Sequence, residues 1–457
     1  MFRNTRHVHL VAIGGIGMSG IAEILLNLGF RVSGSDLRGS AVTERLRRRG
    51  ATVHEGHRAE QVRGADVVVY SSAVGEANPE IEAARREGIP VIRRAEMLAE
   101  LMRLKYGIAV AGSHGKTTTT SLVAEVLAAG GLDPTVLVGG RALTTGDNAI
   151  LGRGEYLVAE ADESDGSFLQ LVPTIAVVTN LDLEHVDFYP DLETLRGAFA
   201  TFLAKVPFYG ACILCGDDPE VRALIPGLDR KVITYGLARE ADVRGVPDDE
   251  RAASATVFAG ERELGRLQLR LAGRHNLANA LAAVAVGMEL GVPFGQVARA
   301  LAGFAGVGRR YEDHGVHGGV QVIDDYGHHP TEVSATLRVA RTAGRRVTVL
   351  FQPHRYSRTR HFRDGFAEAL ALADRVGLLP VYAASEAPIE GVDSGLVARA
   401  LNDRGFAAVD VLGGAGAIDG WLDAHLRPGD LLLTLGAGDI GRRVAGICAH
   451  LDGRSAP

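Results

Sequence analysis

The stretch Gly112-Ser113-His114-Gly115-Lys116-Thr117-Thr118 constrains this 457-residue chain more than any other. A short apolar run, Tyr106 to Ala111, precedes it, and apolar residues at helical spacing follow from Ser121 to Ala129 before Gly130-Gly131 ends the pattern. Strand, glycine loop, Lys-Thr and helix together describe a phosphate cradle. Glycine lets backbone N–H groups approach an anion, the helix N-terminus adds a favourable dipole, and Lys116 supplies a point charge. Thr117 is then placed to ligate the Mg²⁺ that accompanies a nucleotide. The spacing is the shorter G-x-x-G-K-T, because Val110 stands where the longer P-loop pattern has its first glycine. The bland alternative is a glycine turn with a solvated lysine, and the strand-loop-helix setting favours nucleotide binding. The expected fold class is α/β.

Upstream, His7 to Ile13 reads as a strand, and Gly15-Ile16-Gly17-Met18-Ser19-Gly20 matches G-x-G-x-x-G. A helical run to Leu28 and a second strand through Val32 lead to Ser35-Asp36. An acidic residue about 20 positions after the first glycine is what a dinucleotide site uses to hold ribose hydroxyls. Taken alone, this is the signature of an NAD-dependent dehydrogenase. The physics is broader, since such a loop offers backbone donors to any pyrophosphate, that of a UDP-sugar included. Ser71-Ser72 follow the strand Ala65 to Tyr70, at the strand end where ligands of open α/β sheets bind.

Downstream, the strand Tyr156 to Glu160 ends in Glu160, Asp162, Glu163 and Asp165. Carboxylates near a phosphate loop supply the second ligand of a metal-nucleotide site, and a solvated acidic loop is the alternative. His185 reads evenly as metal ligand, phosphate donor or polar loop residue. Asp242 to Arg262 is polar and hairpin-like, with no chemistry to name. His275-Asn276 open an alanine-rich helix ending near Leu290, and Asn279 lies one turn in. Two amides on one face can read a base edge or cap the helix, and capping is favoured.

Gly306 to Arg310 is a glycine-punctuated hinge carrying Arg309 and Arg310, so domains are expected at 1–105, 106–311 and 312–457. A strand from Val320 then delivers Asp324, Asp325, Tyr326, His328 and His329. The strand Arg346 to Phe351 leads into Gln352, His354, Arg355 and Arg358, an anion site because guanidinium forks match carboxylates and phosphates, with a solvated basic loop as the alternative. Gly436 to Gly441, after the strand Asp430 to Leu435, lacks a Lys-Thr and shapes the fold only. The net charge of −6 argues against nucleic-acid binding through overall basicity. No charge-free apolar run reaches the ~18 residues of a spanning helix. The apolar start of the chain breaks at Gly14-Gly15, which suits a strand and turn better than a signal peptide, so a cytoplasmic location is expected. Cys212 and Cys215 lie in a strand-like run without a second ligand pair, and read as buried, inert thiols.

Gly14 to Gly20, Gly112 to Thr120, Glu160 to Asp165, His275-Asn276-x-x-Asn279, Asp324 to Glu332 and Gln352 to Thr359 together resemble the motifs of the Mur ligases, in order along the chain. The paired histidines and Gln-Pro-His-Arg-Tyr point to the alanine-adding branch, with Ser113 standing where the family usually has threonine. The resemblance implies a Rossmann-like UDP-binding domain, a central P-loop-type ATPase domain with a mostly parallel sheet, and a C-terminal Rossmann-like domain that helps bind the amino acid. It implies an ATP-dependent ligase that joins L-alanine to the lactyl carboxylate of UDP-N-acetylmuramate through an acyl phosphate, a step of peptidoglycan synthesis. Gly112, Ser113, His114, Gly115, Lys116, Thr117 and Thr118 would cradle ATP, with Lys116 on the moving phosphoryl group. Thr117 and Glu160 would hold one Mg²⁺ and His185 a second. Asn276 and Asn279 would contact the nucleotide, and Arg310 and Asp325 would reach it from the hinge and third domain. Gly15, Ile16, Gly17, Met18, Ser19, Ser35, Asp36, Ser71 and Ser72 would surround the UDP-sugar. Tyr326, His329, His354, Arg355 and Arg358 would hold a substrate carboxylate. The expected partners are the two substrates, with no nucleic acid and no membrane segment, and the chain is expected as a monomer or weak homodimer. Besides the dehydrogenase, the rival readings are a nucleotide-gated binding protein and a ligase that adds a preformed peptide to the same sugar.

Overall fold

Parallel strands need long crossovers, and this chain answers its alternation of short apolar runs and helical periodicity with three sheets flanked by helices. The computed structural model describes residues 5–71, 74–138, 149–184 and 188–453. The chain forms two compact units. One comprises Met1–Pro247, Ser254–Arg270 and Asn276–Ala305, and the other Asp248–Ala253, Leu271–His275 and Gly306–Pro457.

Two sheets lie in the first unit. The first contains β1 (His7–Val11), β2 (Arg31–Asp36), β3 (Thr52–Glu55), β4 (Val67–Tyr70) and β5 (Val91–Arg93), all parallel in the order β3-β2-β1-β4-β5. The order reverses between β1 and β4, so the glycine loop after β1 opens at the point where doubly wound sheets bind ligands. The second sheet has ten strands: β6 (Tyr106–Ala111), β7 (Thr135–Leu137), β8 (Ala149–Ile150), β9 (Tyr156–Glu160), β10 (Ile175–Val178), β11 (Ala211–Cys215), β12 (Val232–Gly236), β13 (Val243–Pro247), β14 (Ser254–Ala259) and β15 (Arg262–Gln268). Their order is β15-β14-β13-β12-β11-β10-β6-β9-β7-β8, with only β8, β14 and β15 antiparallel to their neighbours. The hairpin-like stretch from Asp242 is thus the antiparallel margin of a parallel sheet. β11 is buried along its whole length, and burial pushes the thiols of Cys212 and Cys215 up to about 11, so both behave as small hydrophobes.

The second unit holds β16 (Glu312–His317), β17 (Val320–Asp325), β18 (Val347–Phe351), β19 (Arg375–Leu378), β20 (Val409–Val411) and β21 (Leu431–Leu435), ordered β16-β17-β21-β18-β19-β20. Only β16 is antiparallel. The carboxyl ends of β17, β18, β19 and β21 therefore share one edge, which brings together four loops far apart in sequence.

Backbone spacing in the first sheet is tight at Gly34 in β2. A methyl group there would collide with the Leu10 carbonyl oxygen of β1 and come 2.7 Å from Ile13 Cδ1. Gly34→Ala is expected to cost about 1–3 kcal/mol through overpacking. Gly197→Ala, in the helix Leu192–Leu203 with open space around the site, should be neutral or slightly stabilising. Thermal melts of both variants beside the wild type check this contrast.

Candidate active site

The helix Lys116–Ala129 begins at Gly115 with φ 82°, and Gly112 sits at φ 129°, values that glycine adopts without a steric penalty. A methyl group on Gly112 would collide with Thr179 Oγ1, and one on Gly115 would come 2.7 Å from Asn279 Oδ1. The loop is tied to the segment after β10. Asn180 Oδ1 accepts from the His114 N–H at 2.9 Å, and the Thr179 hydroxyl donates to the His114 carbonyl at 2.6 Å. The Ser113 hydroxyl exchanges hydrogen bonds with the Asp182 backbone at 2.9 Å in each direction, work that any small hydroxyl side chain can do. Asn279 lies against Gly115 one turn inside the helix Arg274–Glu289, so the capping role favoured from sequence is not the one its side chain takes. Asn276 is buried in the first turn of that helix.

Lys116 Nζ donates to the carbonyls of Gly112 (2.6 Å) and Ser113 (3.1 Å), and lies 3.0 and 2.8 Å from the two carboxylate oxygens of Glu163. Glu163 is 1% exposed. Burial pulls the Lys116 ammonium down, but Glu163 and Asp162 outweigh it and hold the group above its ordinary value. Burial lifts the Glu163 carboxyl to about 7 against the pull of Lys116. The two shifts point in opposite senses, one towards an ion pair and one towards a neutral acid. The ammonium keeps its proton far more tightly than the carboxyl does, so Lys116 stays charged while Glu163 takes up and releases its proton near neutral pH. The sequence places Glu163 among several carboxylates after β9 and singles out Glu160 as the metal ligand, so the pairing of Glu163 with Lys116 is not legible there. Glu160 closes β9 in register with Val110 of β6, two residues before Gly112. The Thr117 hydroxyl and a carboxylate at the neighbouring strand end are oxygen donors of the kind a hard divalent cation takes, so this donor set fits Mg²⁺. His185 lies outside the described residues, as does Ser72.

At the end of β1, Asp36 Oδ2 accepts from the Gly14 N–H at 2.9 Å, and the Ile13 N–H donates to the Ser35 carbonyl at 2.9 Å. Asp36 therefore fixes the glycine loop with one of its oxygens. Gly15 and Gly17 are exposed or partly so, while Met18 and Ser19 depart from their expected place on a ligand: both are buried in the helix Ile16–Asn27, and the Ser19 N–H donates to the Gly15 carbonyl at 2.8 Å. A methyl group on Gly20 would come 2.5 Å from Leu137 Cδ2 of β7, so the third glycine of the motif serves close packing. Ser35 departs from its expected place on a ligand. It is fully buried, and its hydroxyl donates to Glu80 Oε2 at 2.5 Å beneath the sheet, where His9 and His57 also meet that carboxylate at 3.0 and 2.9 Å. Ser71 is half-buried at the end of β4.

In the second unit, the Tyr326 ring lies 5.2 Å from the Arg309 guanidinium and 5.1 Å from that of Arg310. Arg309 pairs with Asp324 at 2.9 Å, while Arg310 faces Glu332 at 3.5 Å. Asp325 accepts from the N–H groups of Tyr311 and Gly327, each at 2.7 Å, and burial pushes its carboxyl up to about 6 despite Arg310. His329, expected on a substrate carboxylate, is buried. Its Nδ1 caps the helix Pro330–Arg341 at the Thr331 N–H, and its ring meets Phe362 edge-on. The His354 ring stacks on Tyr382 at 5.6 Å, and burial, with His328 and the arginines Arg358 and Arg355 nearby, pulls it down to about 3, a neutral imidazole. Arg358 is buried with Nη1 3.5 Å from His354 Nδ1, and Arg355 takes φ 67°. Gln352 donates to Asp439 at 2.7 Å and accepts from the Ile440 N–H at 3.1 Å. A methyl group on Gly438 would collide with Gln352 Oε1 and come 2.8 Å from Tyr382 Cβ, so the last glycine turn forms a wall of this corner. Gln352 stands in the expected anion-site run without a role of its own, and no sequence signal marks Tyr382, Glu386 or Asp439.

Asp325 supplies a pH test. Its folded value of about 6 lies above the ordinary 3.8, so the folded state binds the extra proton and this contribution to stability fades as pH rises from about 4 through 6. Asp325→Asn removes the ionised carboxylate. Its melting temperature relative to wild type is expected to climb between pH 4 and pH 7.5, as melts across that range would show.

Three comparisons bear on what such an arrangement belongs to. Residues 7–106 match the catalytic domain of the Mur ligase family, residues 110–287 the Mur ligase middle domain and residues 309–438 the Mur ligase glutamate ligase domain. The chain is 53% identical to a UDP-N-acetylmuramate–L-alanine ligase of Desulfatibacillum aliphaticivorans, over 97% of this chain and 98% of the relative. The crystal structure of UDP-N-acetylmuramate-alanine ligase from Thermotoga maritima matches with a TM-score of 0.80 at 30% identity, covering 96% of this chain and 98% of that one. A murein peptide ligase of Psychrobacter arcticus, 24% identical with a TM-score of 0.73 over 99% of this chain and 100% of that one, shares the fold.

Proposed function

The chain belongs to the Mur ligase family, and on that premise we propose that it joins L-alanine to the lactyl carboxylate of UDP-N-acetylmuramate at the expense of ATP. The observation that carries this choice within the family is 53% identity, along 97% of the chain, to a relative that bears this activity in its name. A carboxylate is a poor acyl donor. The γ-phosphoryl group therefore passes from ATP to the carboxylate oxygen, and ADP leaves. The amine of alanine attacks the acyl carbon of the mixed anhydride, phosphate departs from the tetrahedral intermediate, and the nitrogen gives up a proton. The protein positions the reactants and neutralises charge.

Lys116 exchanges its Glu163 partner for the nucleotide's outer phosphates, which the backbone of Gly112 to Thr118 cradles. Thr117 and Glu160 would hold one Mg²⁺ and His185 a second, and these ions would supply positive charge against the phosphates. Asn276, Asn279, Arg310 and Asp325 serve the nucleotide. The backbone of Gly15 to Gly17, with Asp36, Ser71 and Ser72, serves the UDP-sugar. Tyr326, Arg355 and Arg358 face the carboxylate of the amino acid, and a neutral His354 leaves the cationic work to the arginines. Domain limits at 105 and 311 belong to the same proposal. Among the described residues no helix is long and apolar enough to cross a membrane, and we place the enzyme in the cytoplasm, where ATP and UDP-sugars occur together.

Phosphate release from ATP and Mg²⁺, measured with each substrate omitted in turn, tests the reading. Release is expected to need both UDP-N-acetylmuramate and L-alanine. Lys116→Ala should lower the rate by about 10²–10³-fold, the scale of losing one charge-stabilising donor. Turnover indifferent to L-alanine, or stronger with a tripeptide in its place, would contradict it.

A further inference from the structure

Glu386 lies outside every motif that carried the reading so far, in the loop after β19. Around it the backbone is unusual. Arg355, Ala384 and Ser385 have φ of 67°, 47° and 72°, a left-handed region that non-glycine residues enter only when their surroundings force them. The forcing contacts are visible. The Arg355 N–H donates to the Tyr382 carbonyl and the Tyr382 N–H to the Pro353 carbonyl, each at 2.8 Å, which bridges the loops after β18 and β19. The Glu386 N–H closes its own loop on the Ala383 carbonyl at 2.9 Å. The Glu386 carboxylate then accepts from the Ser357 hydroxyl at 2.6 Å and the Ser357 N–H at 3.1 Å, and lies 3.8 Å from Arg355 Nη1. Burial works against its charge, but the hydrogen bonds of Ser357 and Tyr356 and the charge of Arg355 outweigh it, so the group stays ionised.

We propose that Glu386 is the positioning residue that locks Arg355 and Ser357 into the strained turn from which Arg355 and Arg358 grip the amino substrate. The proposal rests on the reading of this corner as the amino-acid site. A guanidinium fork selects a carboxylate only when its plane is held, and an arginine on a mobile loop loses that advantage to side-chain entropy. Both Glu386 oxygens are already engaged by Ser357 and Arg355, so it acts through them and not on the substrate. Its influence should therefore fall on one substrate of the three.

The test is steady-state kinetics with each substrate varied, on wild type, Glu386→Gln, Glu386→Asp, Ser357→Ala and the Glu386→Gln/Ser357→Ala double variant, with melting temperatures alongside. Glu386→Gln is expected to raise KM for L-alanine by about tenfold or more, the scale of one charge-assisted hydrogen bond. KM for ATP and for UDP-N-acetylmuramate should stay within about twofold, and kcat should change less than the alanine KM. Glu386→Asp, which keeps the charge, should fall between the two. Ser357→Ala should shift the same KM in the same direction, and the double variant should be no worse than Glu386→Gln, because both act through one contact. An unchanged alanine KM in folded Glu386→Gln would overturn the proposal. So would a rise of all three KM values together with a lowered melting temperature, the mark of a merely structural role. Wild-type turnover without dependence on L-alanine would overturn the site reading itself, and this proposal with it.

Discussion

A lysine ammonium drawn largely out of water has to be neutralised, and its own loop and one buried carboxylate do so. Lys116 reaches two carbonyls of its own loop and both oxygens of Glu163, itself 1% exposed. Leaving either charge alone would be costly, because desolvation is not repaid without a partner. In the proposed function, nucleotide binding would then be an exchange of one anion for another. The phosphates would take over what Glu163 supplies, in a loop that Thr179, Asn180 and Asp182 already hold in shape. A preformed site of this kind spends little binding energy on ordering itself.

The same geometric device recurs in all three sheets. Candidate residues sit in loops at the carboxyl ends of parallel strands, after β1, after β6 and after β17 and β18. Glycine stands where backbones come closest: Gly112 against Thr179, Gly115 against Asn279, Gly438 against Gln352 and Tyr382. The first loop also shows why fold and motif underdetermine function. Gly15 to Gly20 and Asp36 satisfy the pattern of a nicotinamide site, yet the backbone donors they offer suit a UDP pyrophosphate equally. Membership of the ligase family favours the second, as does the Lys116–Glu163 pair just after β6 and β9.

Much of this was legible from sequence because the signals are local. β6 and β9 carry the limits that their apolar runs and flanking glycines or acids suggest, and Cys212 and Cys215 are buried thiols as the strand pattern implied. What escaped was long-range. The partners of Lys116, Ser35 and Ser357 are Glu163, Glu80 and Glu386, which lie 47, 45 and 29 positions away. No spacing rule says which of several carboxylates in a loop turns inward, so Glu160 drew the attention that Glu163 shares. His329 shows the converse. A histidine in a rich motif looks like a ligand group, and its place just before Pro330 also gives its Nδ1 a capping role that the motif does not announce. The ten-stranded order of the second sheet was equally out of reach, since it depends on where crossovers return and not on any one segment.

In the proposed reaction, the phosphoryl group held at the Lys116 loop passes onto the sugar's carboxylate. Isotope tracing tests it most directly. UDP-N-acetylmuramate carrying ¹⁸O in its lactyl carboxylate would be turned over with ATP and L-alanine in ordinary water, and the released phosphate analysed by mass spectrometry. Transfer through an acyl phosphate predicts that one labelled oxygen leaves the sugar and appears in each phosphate. Unlabelled phosphate, with the ligated product formed, would mean that the carboxylate was activated in another way and would contradict the account.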